Sequence, residues 1–546
     1  MGRHGDIQEL AITTATKTSG PATATFEALE ACNRYDKDDL SLTRLGKVPV
    51  LRRNFGFMSI LGFSCTVLIT WEGALILFLA GFMNGGPAGV IYGFIVIWIG
   101  NLSVFSTLSE LVSMAPTSGG QYHWVAMLAP RSCGKFLSYI TGWLTVAGWQ
   151  AAVASGGYLT GTLIQGLIAL TVPSYSPKSW HGTLLYWAVI FMAVFVNAVV
   201  SSLLPKFEGL ILILHILGFF GILIPLIILG PHGNASDVFT TFLNEGGWPT
   251  QGISFCVGLL GNAFAFVGAD GAFHMSEEIH NPSIVVPRSI MLSIVLNGIM
   301  GFAMIVALLF CLGNIDAALS TNTGYPFMEI FLQATNSVSG SATMAAIVTI
   351  LALCATVGLL ASTSRMFWSF ARDRGLPCWQ TLQKVDSRAS VPIWSIAITT
   401  IISCLLALIN IGSSTAFNDI VSLSIAGLYS SYLIAASLLL YRRCTGAIQL
   451  KSDSGNGLIN TPGSRLCWGP WRIAGVFGIA NNAFACLYLT FLLIFSFWPP
   501  TTPTTAKTMN YSSLVTGVVV IFSVGYYFAY ARKEYKGPVV EVERDY

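Results

Sequence analysis

Two stretches of similar pattern decide the fold: LITWEGAL at residues 68–75 and AFVGADGA at residues 265–272. Each places an acidic residue directly before a glycine, Glu72 before Gly73 and Asp270 before Gly271, in the middle of a long apolar run. Glycine weakens a helix, and unwound backbone deep in an apolar environment is tolerated only where it lines a polar cavity. The two stretches therefore predict two helices that are interrupted at their centres.

The composition places these helices in a lipid bilayer. Of 546 residues, 54% are hydrophobic and 10% are charged, against about 25% charged residues in a typical soluble domain, and the mean hydropathy is +0.68. These values exclude a soluble enzyme, a disordered chain and a collagen-like chain. Long continuous runs exclude a β-barrel, which needs short alternating segments. A net charge of +3 gives no indication of nucleic-acid binding. We predict an all-α, multi-pass membrane protein.

Twelve apolar runs, numbered 1 to 12, predict twelve membrane helices. They form a domain over residues 51–531, between a disordered tail at 1–50 and a short tail at 532–546. The runs lie near 57–83, 87–112, 136–170, 184–204, 207–230, 252–276, 289–312, 343–370, 393–411, 418–441, 473–498 and 512–531.

The distribution of basic residues predicts the orientation. If the N-terminus is inside and the twelve runs alternate, every Lys and Arg of the 28 lies in an inner segment except Lys178 and Lys507. Inner loops of membrane proteins carry such an excess, so both tails are predicted to be cytosolic. The sequons at Asn234 and Asn510 then fall in outer loops as candidate glycosylation sites, whereas the sequon at Asn101 lies inside run 2.

The interrupted runs 1 and 6 begin two groups of five, over residues 57–230 and 252–441, with runs 11 and 12 added at 473–531. This is the pattern of a secondary transporter built from two inverted five-helix repeats. An intramembrane carboxylate costs about 2.5–3.5 kcal/mol and is a functional candidate by default; the alternative is a protonated acid bonded between helices. Aromatic rings beside an acid favour an ammonium group, although many rings only pack. The candidate substrate-binding residues are Thr70, Trp71, Glu72, Gly73, Trp149, Phe266, Gly268, Ala269, Asp270 and Tyr429.

Three inner segments carry a resemblance to a known family. They read ELVSMAPTSGGQY at 110–122, SEEIHNP at 276–282 followed by VPR at 286–288, and SRM at 364–366 followed by ARDRGLP at 371–377. Together they resemble the amino acid–polyamine–organocation superfamily, and closely its fungal amino-acid/choline branch, over about residues 50–530. The resemblance implies a permease whose substrate lies between the interruptions of helices 1 and 6, with walls from helices 3, 8 and 10.

One departure from the family pattern bears on the substrate. Many amino-acid carriers have a Gly-Ser-Gly-like turn in helix 1 that binds the substrate carboxylate, where this chain has Thr70 to Gly73. The difference favours an amine or a choline-like ligand, while GABA, amino acids and polyamines remain open.

Energy coupling and gating have their own candidates. His215 lies in the middle of run 5, and histidine titrates near neutral pH. In proton-coupled relatives a lysine near this point resembles a replacement for bound sodium, so we predict that His215 carries the coupled proton and faces helix 1 and the hydroxyls of residues 362–364. The alternatives are a neutral, hydrogen-bonded histidine and a sodium-coupled or facilitated carrier. The charges expected to form a cytosolic gate are Glu110, Glu277, Glu278 and Arg365, with solvated interfacial charges as the alternative.

The remaining patterns argue against other classes of protein. The seven histidines form no HExxH pattern, and no nucleotide-binding or GxSxG sequence is present. The eleven cysteines contain no CxxC pair. We therefore predict a transporter without a cofactor or metal rather than an enzyme, with a non-transporting sensor as a remote alternative. The plasma membrane is the expected location and the vacuolar membrane the alternative.

Overall fold

The computed structural model describes residues 37–386, 390–412, 414–450, 457–506 and 508–541, without the side chains of 412–419. Within these ranges the chain is helical, and three isolated bridges are the only β-type pairing. Most of the predicted N-terminal tail lies outside the described residues. Its described part is not free chain, because residues 37–44 are helical and Lys47 is buried. The C-terminal tail is likewise packed, with Tyr535 fully buried.

The helices follow the predicted runs. The first half contains α1 (Phe57–Leu68), α2 (Thr70–Ile76), α3 (Phe78–Met114), α4 (Gln121–Leu128), α5 (Gly134–Thr171), α6 (Ser179–Ala198), α7 (Leu204–Leu229) and α8 (Ala235–Thr240). The second half contains α9 (Gln251–Phe264), α10 (Gly271–His274), α11 (Pro282–Phe310), α12 (Ile315–Leu319), α13 (Pro326–Thr335), α14 (Val338–Arg372), α15 (Trp379–Leu382), α16 (Ile393–Ala407), α17 (Ile409–Gly412) and α18 (Ser414–Cys444). The last helices are α19 (Gly475–Ser496), α20 (Ser512–Tyr526) and α21 (Arg532–Glu534), with a π-helical turn at Tyr527–Ala531.

Eleven helical segments in the described part are long and apolar enough to cross a membrane. Run 6 is the exception, because its apolar helix α9 has only 14 residues before the chain unwinds. The all-α membrane fold is thus confirmed, and the run that falls short of a full span is one of the two predicted to be interrupted.

Both interruptions are present, and their backbones differ. Helix 1 breaks between α1 and α2 at Ile69, which has a left-handed backbone (φ 35°, ψ 43°). Helix 6 unwinds through residues 265–270, and Gly268 has φ 106°. The first break therefore lies three residues before Glu72 rather than at the acid–glycine pair. Gly73 instead permits close packing, because a Cβ atom there would lie 3.2 Å from the Cβ atom of Ala265.

The helices pair reciprocally between the two halves. In the first half α3 packs on α9, and in the second half α11 packs on α1 and α2. Similarly, α6 contacts α5 and α14, while α16 contacts α14 and α5. This is the pairing that two five-helix repeats produce; the repeat boundaries remain a prediction.

The long helices α5 and α14 form the centre of the molecule, and α18 packs closely on α5. Two glycines permit that approach, since a Cβ atom on Gly427 would lie 2.9 Å from the Cα atom of Gly148. In a lipid bilayer no hydrophobic force drives helices together, so their association depends on close packing, which small residues permit. The packing holds α5, α14 and α18 around the two interruptions.

Candidate functional site

Glu72 and His215 form a buried pair beside the first break. Glu72 lies in the first turn of α2 and is fully buried. Its Oε1 atom is 2.7 Å from Nδ1 of His215, which projects from the middle of α7. The other atoms of the pair, Oε2 of Glu72 and Nε2 of His215, have no hydrogen-bond partner among the described residues. The 2.7 Å separation is a hydrogen bond in which the role of the histidine nitrogen depends on its tautomer.

The surroundings of the pair are aromatic on one side. The Trp71 ring lies 5.7 Å from the His215 ring and 6.0 Å from the Phe219 ring, measured between centroids. His215 therefore faces helix 1, as predicted. No hydrogen bond joins His215 to the hydroxyls of residues 362–364 in the described part of the chain. Thr363 donates to the carbonyl of Trp149 and Ser364 to the carbonyl of Ala361, while the Ser362 hydroxyl has no partner there. The approach to these hydroxyls stays a prediction.

Asp270, the acid of the second break, has different partners. Its Oδ2 atom accepts hydrogen bonds from Nε2 of Gln121 at 2.8 Å and from Nε1 of Trp149 at 3.2 Å. Nε2 of His274, one turn further along, lies 3.6 Å from the same oxygen. Oδ1 has no partner among the described residues, and the side chain is fully buried. Asp270 is thus held by neutral donors from α4 and α5.

The other candidate substrate residues are all buried, and their side chains have different surroundings. The Thr70 hydroxyl and the Trp71 indole nitrogen have no hydrogen-bond partner in the described part of the chain. The Phe266 ring packs 5.3 Å from the Phe94 ring. Tyr429 donates to Oδ1 of Asn101 at 3.4 Å, on the α3 side of α18. Gly268 and Ala269 belong to the unwound segment of helix 6.

A cavity of about 30 Å³ lies between the two breaks. None of the ten predicted substrate residues lines it. Its walls are residues at or near the two breaks, together with residues of α5 and α14, several of them small: Val67, Leu68, Ile69, Ile76, Ala152, Gly156, Leu159, Thr160, Phe264, Val267, Ala352, Ala355 and Leu359. Sequence reasoning missed these residues because apolar side chains carry no chemical signature. The four-residue spacing of Ala152, Gly156 and Thr160 was the available signal.

A second cavity of about 620 Å³ lies on the predicted outer side of the first. Residues of the outer loops, including Tyr325, Trp498 and Thr508, contribute to its walls. Ile76, Leu159 and Phe264 line both cavities and form the apolar layer between them. The small cavity has room for about one or two waters, so an organic substrate needs this layer to move.

The opposite end of the molecule is closed by ion pairs. Glu277 accepts two bonds from Arg372, at 3.0 and 2.7 Å, and one from the Ser118 backbone at 3.0 Å. Glu278 accepts from Nε of Arg365 at 2.8 Å. Three of the four predicted gate residues therefore meet here. The fourth, Glu110, pairs with Arg443 and accepts from the Ile473 backbone.

Both chain ends contribute to this closure, which sequence reasoning did not foresee. Asp373 pairs with Lys47 and accepts from the Val539 backbone at 2.8 Å. Burial is the largest single influence on Asp373 and by itself raises the pKa, but the charges of Lys47 and Arg372 and the hydrogen bonds from Lys47 and Val539 together lower it. Burial also acts against ionisation of Glu277, and its pKa is lowered by the combined charges and hydrogen bonds of Arg372, Ser118 and Lys47. Because a lowered carboxyl pKa keeps the group ionised down to acidic pH, these pairs stay charged over the range in which histidine titrates.

The two glycosylation candidates differ. Asn234 is exposed at the start of α8. Asn510 is buried, and its amide nitrogen donates to the carbonyls of Ser496 and Trp498 at 2.9 and 3.0 Å. The folded chain therefore offers Asn234, and not Asn510, as an accessible site.

Comparison with known proteins identifies relatives over nearly the whole chain. Residues 55–521 match the model of the amino acid permease family. A Macrophomina phaseolina protein described as an amino acid/polyamine transporter is 31% identical over 454 residues, which are 83% of this chain and 96% of that protein. The choline transporter of Saccharomyces cerevisiae is 30% identical over 488 residues, 89% of this chain and 83% of the transporter. Amino-acid permease 2 of Neurospora crassa is 25% identical over 532 residues, 97% of this chain and 94% of the permease.

Proposed function

Because this chain belongs to the amino acid permease family, whose members are transporters and not enzymes, we propose that it is a proton-coupled carrier that imports a small amine such as choline. Two buried carboxyls beside the two breaks carry this proposal. Each keeps one oxygen without a hydrogen-bond partner among the described residues, Oε2 in Glu72 and Oδ1 in Asp270. Cations are attracted to such groups at low dielectric.

The residues that line the cavities favour a cationic substrate over an anionic one. No Lys or Arg of the described residues lines either cavity, so no fixed cation is available for a substrate carboxylate there. Unwound backbone at 265–267 offers carbonyl oxygens, and carbonyls bind cations. The relative described as a choline transporter points to the same class. GABA, amino acids and polyamines are the alternatives, followed by a sensor that does not transport.

The cavities suggest the mechanism. The described conformation has a wide cavity on the predicted outer side and charged pairs across the inner end. Substrate would enter from outside and separate the layer formed by Ile76, Leu159 and Phe264. Inward opening would then break the pairs of Glu277 and Glu278. This is alternating access around a fixed central site.

Uptake of labelled substrates tests the assignment. Cells that express the chain are assayed with choline, GABA, ethanolamine, spermidine and amino acids, and each hit is used to compete with the others. We expect an organic cation to be the best substrate. A substrate recognised only through its carboxylate would contradict the proposal, and binding without uptake would favour the sensor.

The coupling ion is tested with His215→Gln in reconstituted vesicles. A proton-driven carrier accumulates substrate when the outside is acidic, and the variant should lose accumulation but keep exchange of substrate at equal pH. Phe219→Leu, which alters a neighbour of Trp71 without a titratable group, is the control. Accumulation that needs sodium would exclude the proton mechanism, and unchanged accumulation in His215→Gln would exclude this residue.

The charge distribution supports an orientation, and the plasma membrane is proposed as the location with the vacuolar membrane as the alternative. We propose that both termini are cytosolic and that the chain resides in the plasma membrane. Terminal tags should be inaccessible in intact cells, and Asn234→Gln should remove any glycan-dependent change in gel mobility. An N-terminal tag reached from outside would overturn this topology.

A further inference from the structure

A further buried acid, Glu208, lies on α7, the helix that also carries His215. It lies seven residues before His215 in α7, about 10 Å along the helix axis and on nearly the same face. Its side chain is fully buried, and neither carboxyl oxygen has a hydrogen-bond partner among the described residues. Buried polar groups almost always have partners, so an orphaned carboxyl needs an explanation.

The acid sits where α1 crosses α7. Gly62 of α1 is so close that a Cβ atom there would lie 2.3 Å from the Glu208 carbonyl oxygen. The Thr66 hydroxyl interacts with the carboxyl, but its hydrogen is donated to the carbonyl of Gly62 at 2.8 Å. Towards His215, Leu212 packs against Leu61 and Cys65 as a separate apolar cluster.

The charged and titratable groups around Glu208 supply no counter-charge. Among the described residues, the Cys354 thiol of α14 and the Thr66 hydroxyl of α1 interact with it. The charged residue at the inner end of α11, Arg288, is exposed to solvent. Lys206 is exposed to solvent, and Arg365, further along α14, is paired with Glu278. An ionised carboxylate without a partner is strongly disfavoured in such a place. The closed inner end therefore requires Glu208 to carry a proton.

Inward opening would change this requirement. The chain that leads into α1 is bound to the inner gate, since the Asn54 and Phe55 backbones donate to the carbonyl of Glu278. When the gate opens, the start of α1 is free to separate from α7. Water then reaches the carboxyl, which is only one turn from the inner end of α7.

We propose that Glu208 is a proton-binding site that controls inward opening from the cytosolic side. The O–H bond of its carboxyl forms when the inner end closes, and it breaks when that end opens, with the proton passing to cytosolic water. Acidification of the cytosol therefore holds the carrier closed to the inside. The site refines the proposed transport cycle, but it acts independently of the Glu72–His215 pair.

A cysteine reporter tests the proposal. Ser118, buried beside Glu277, is changed to Cys in a variant whose Cys32, Cys133 and Cys378 are replaced by Ser. Exposed Cys444 is kept as an internal reference. Purified protein is labelled with a maleimide between pH 5 and 8. The rate at position 118 relative to Cys444 should rise with pH, by up to about tenfold per unit, the limit for one proton.

Glu208→Gln mimics the protonated acid, so it should label slowly at every pH. The control Glu534→Gln, at the cytosolic end outside the gate, should keep the rise. Thr66→Val removes a polar neighbour that favours the ionised carboxyl, so the midpoint of the labelling-rate profile should move to higher pH. This variant decides the question if Glu208→Gln does not fold. An unchanged profile in Glu208→Gln, or an unchanged midpoint in Thr66→Val, would overturn the proposal.

Comparing Glu208→Gln with His215→Gln separates a failure of this proposal from a failure of the proposed coupling mechanism. If the pH profile disappears in His215→Gln and persists in Glu208→Gln, the Glu72–His215 pair controls opening and the role of Glu208 is refuted. If Glu208→Gln flattens the profile while His215→Gln still accumulates substrate, the Glu208 site stands and His215 is not the coupling site.

Discussion

The two interrupted helices carry the same acid–glycine pattern, yet they use it differently. Glu72 pairs with a single titratable partner, His215, from another helix. Asp270 is held by neutral donors from Gln121 and Trp149, with His274 more distant. We therefore expect the first break, with its direct carboxyl–imidazole contact, to carry the proposed coupling. We expect the second break, where two neutral donors hold the acid, to contribute to substrate binding.

The largest effect should follow from removing His215, and a much smaller one from removing His274. His215→Leu leaves Glu72 buried without a partner, which costs about 3–5 kcal/mol for a charged group. His274→Leu removes a bond to the Ser118 carbonyl but leaves Asp270 with two donors, and it should cost about 1 kcal/mol. Denaturant titration in detergent micelles measures both free energies of unfolding.

A double variant supplies the control. Glu72→Gln with His215→Leu removes both members of the pair, and replacing a whole buried pair is often neutral. The double variant should therefore recover most of the lost stability. Equal losses in His215→Leu and His274→Leu would show that the two breaks are equivalent.

Gly268→Ala should disrupt the second break. The left-handed backbone costs an ordinary residue about 1–2 kcal/mol, and the new Cβ atom would lie 3.1 Å from Cγ1 of Val67. Gly73→Ala, where φ is helical, is the matched substitution in helix 1 and should cost less. Unfolding titrations of the two variants test this order, and a larger loss in Gly73→Ala would reverse it.

Ile69→Gly should have a smaller effect of opposite sign. A β-branched residue is strained at φ 35°, and glycine removes that strain at an entropic cost, for a net gain of up to about 1 kcal/mol. If strain at this position assists opening, the stabilised variant will also transport more slowly. A variant that is less stable would show that the Ile69 side chain contributes more through packing.

Asp270→Asn should change transport least. The amide oxygen of asparagine accepts the same bonds from Gln121 and Trp149, so we expect roughly a threefold rise in KM, or about 0.7 kcal/mol, from the lost charge. The dependence of uptake on external pH should be unchanged, because His215 is untouched. A flattened pH profile in this variant would move the coupling site to helix 6.

The sequence by itself determined the membrane fold, the two interrupted helices and the family. Apolar runs, the basic residues of the inner segments and paired acid–glycine motifs are local or periodic signals, which can be read without knowing what packs together. The central position of His215 in run 5 and its approach to helix 1 also followed from this reading.

Only the tertiary structure decided which residues meet. The partner of Glu72 is 143 residues away along the chain, and Lys47 reaches Asp373 across 326 residues. The central cavity is lined by apolar residues such as Val67 and Ala152, which no motif marks. Burial of Glu208 likewise depends on the approach of α1 to α7 at Gly62. Such contacts between distant segments arise from helix packing, so the pattern within any one helix does not contain them.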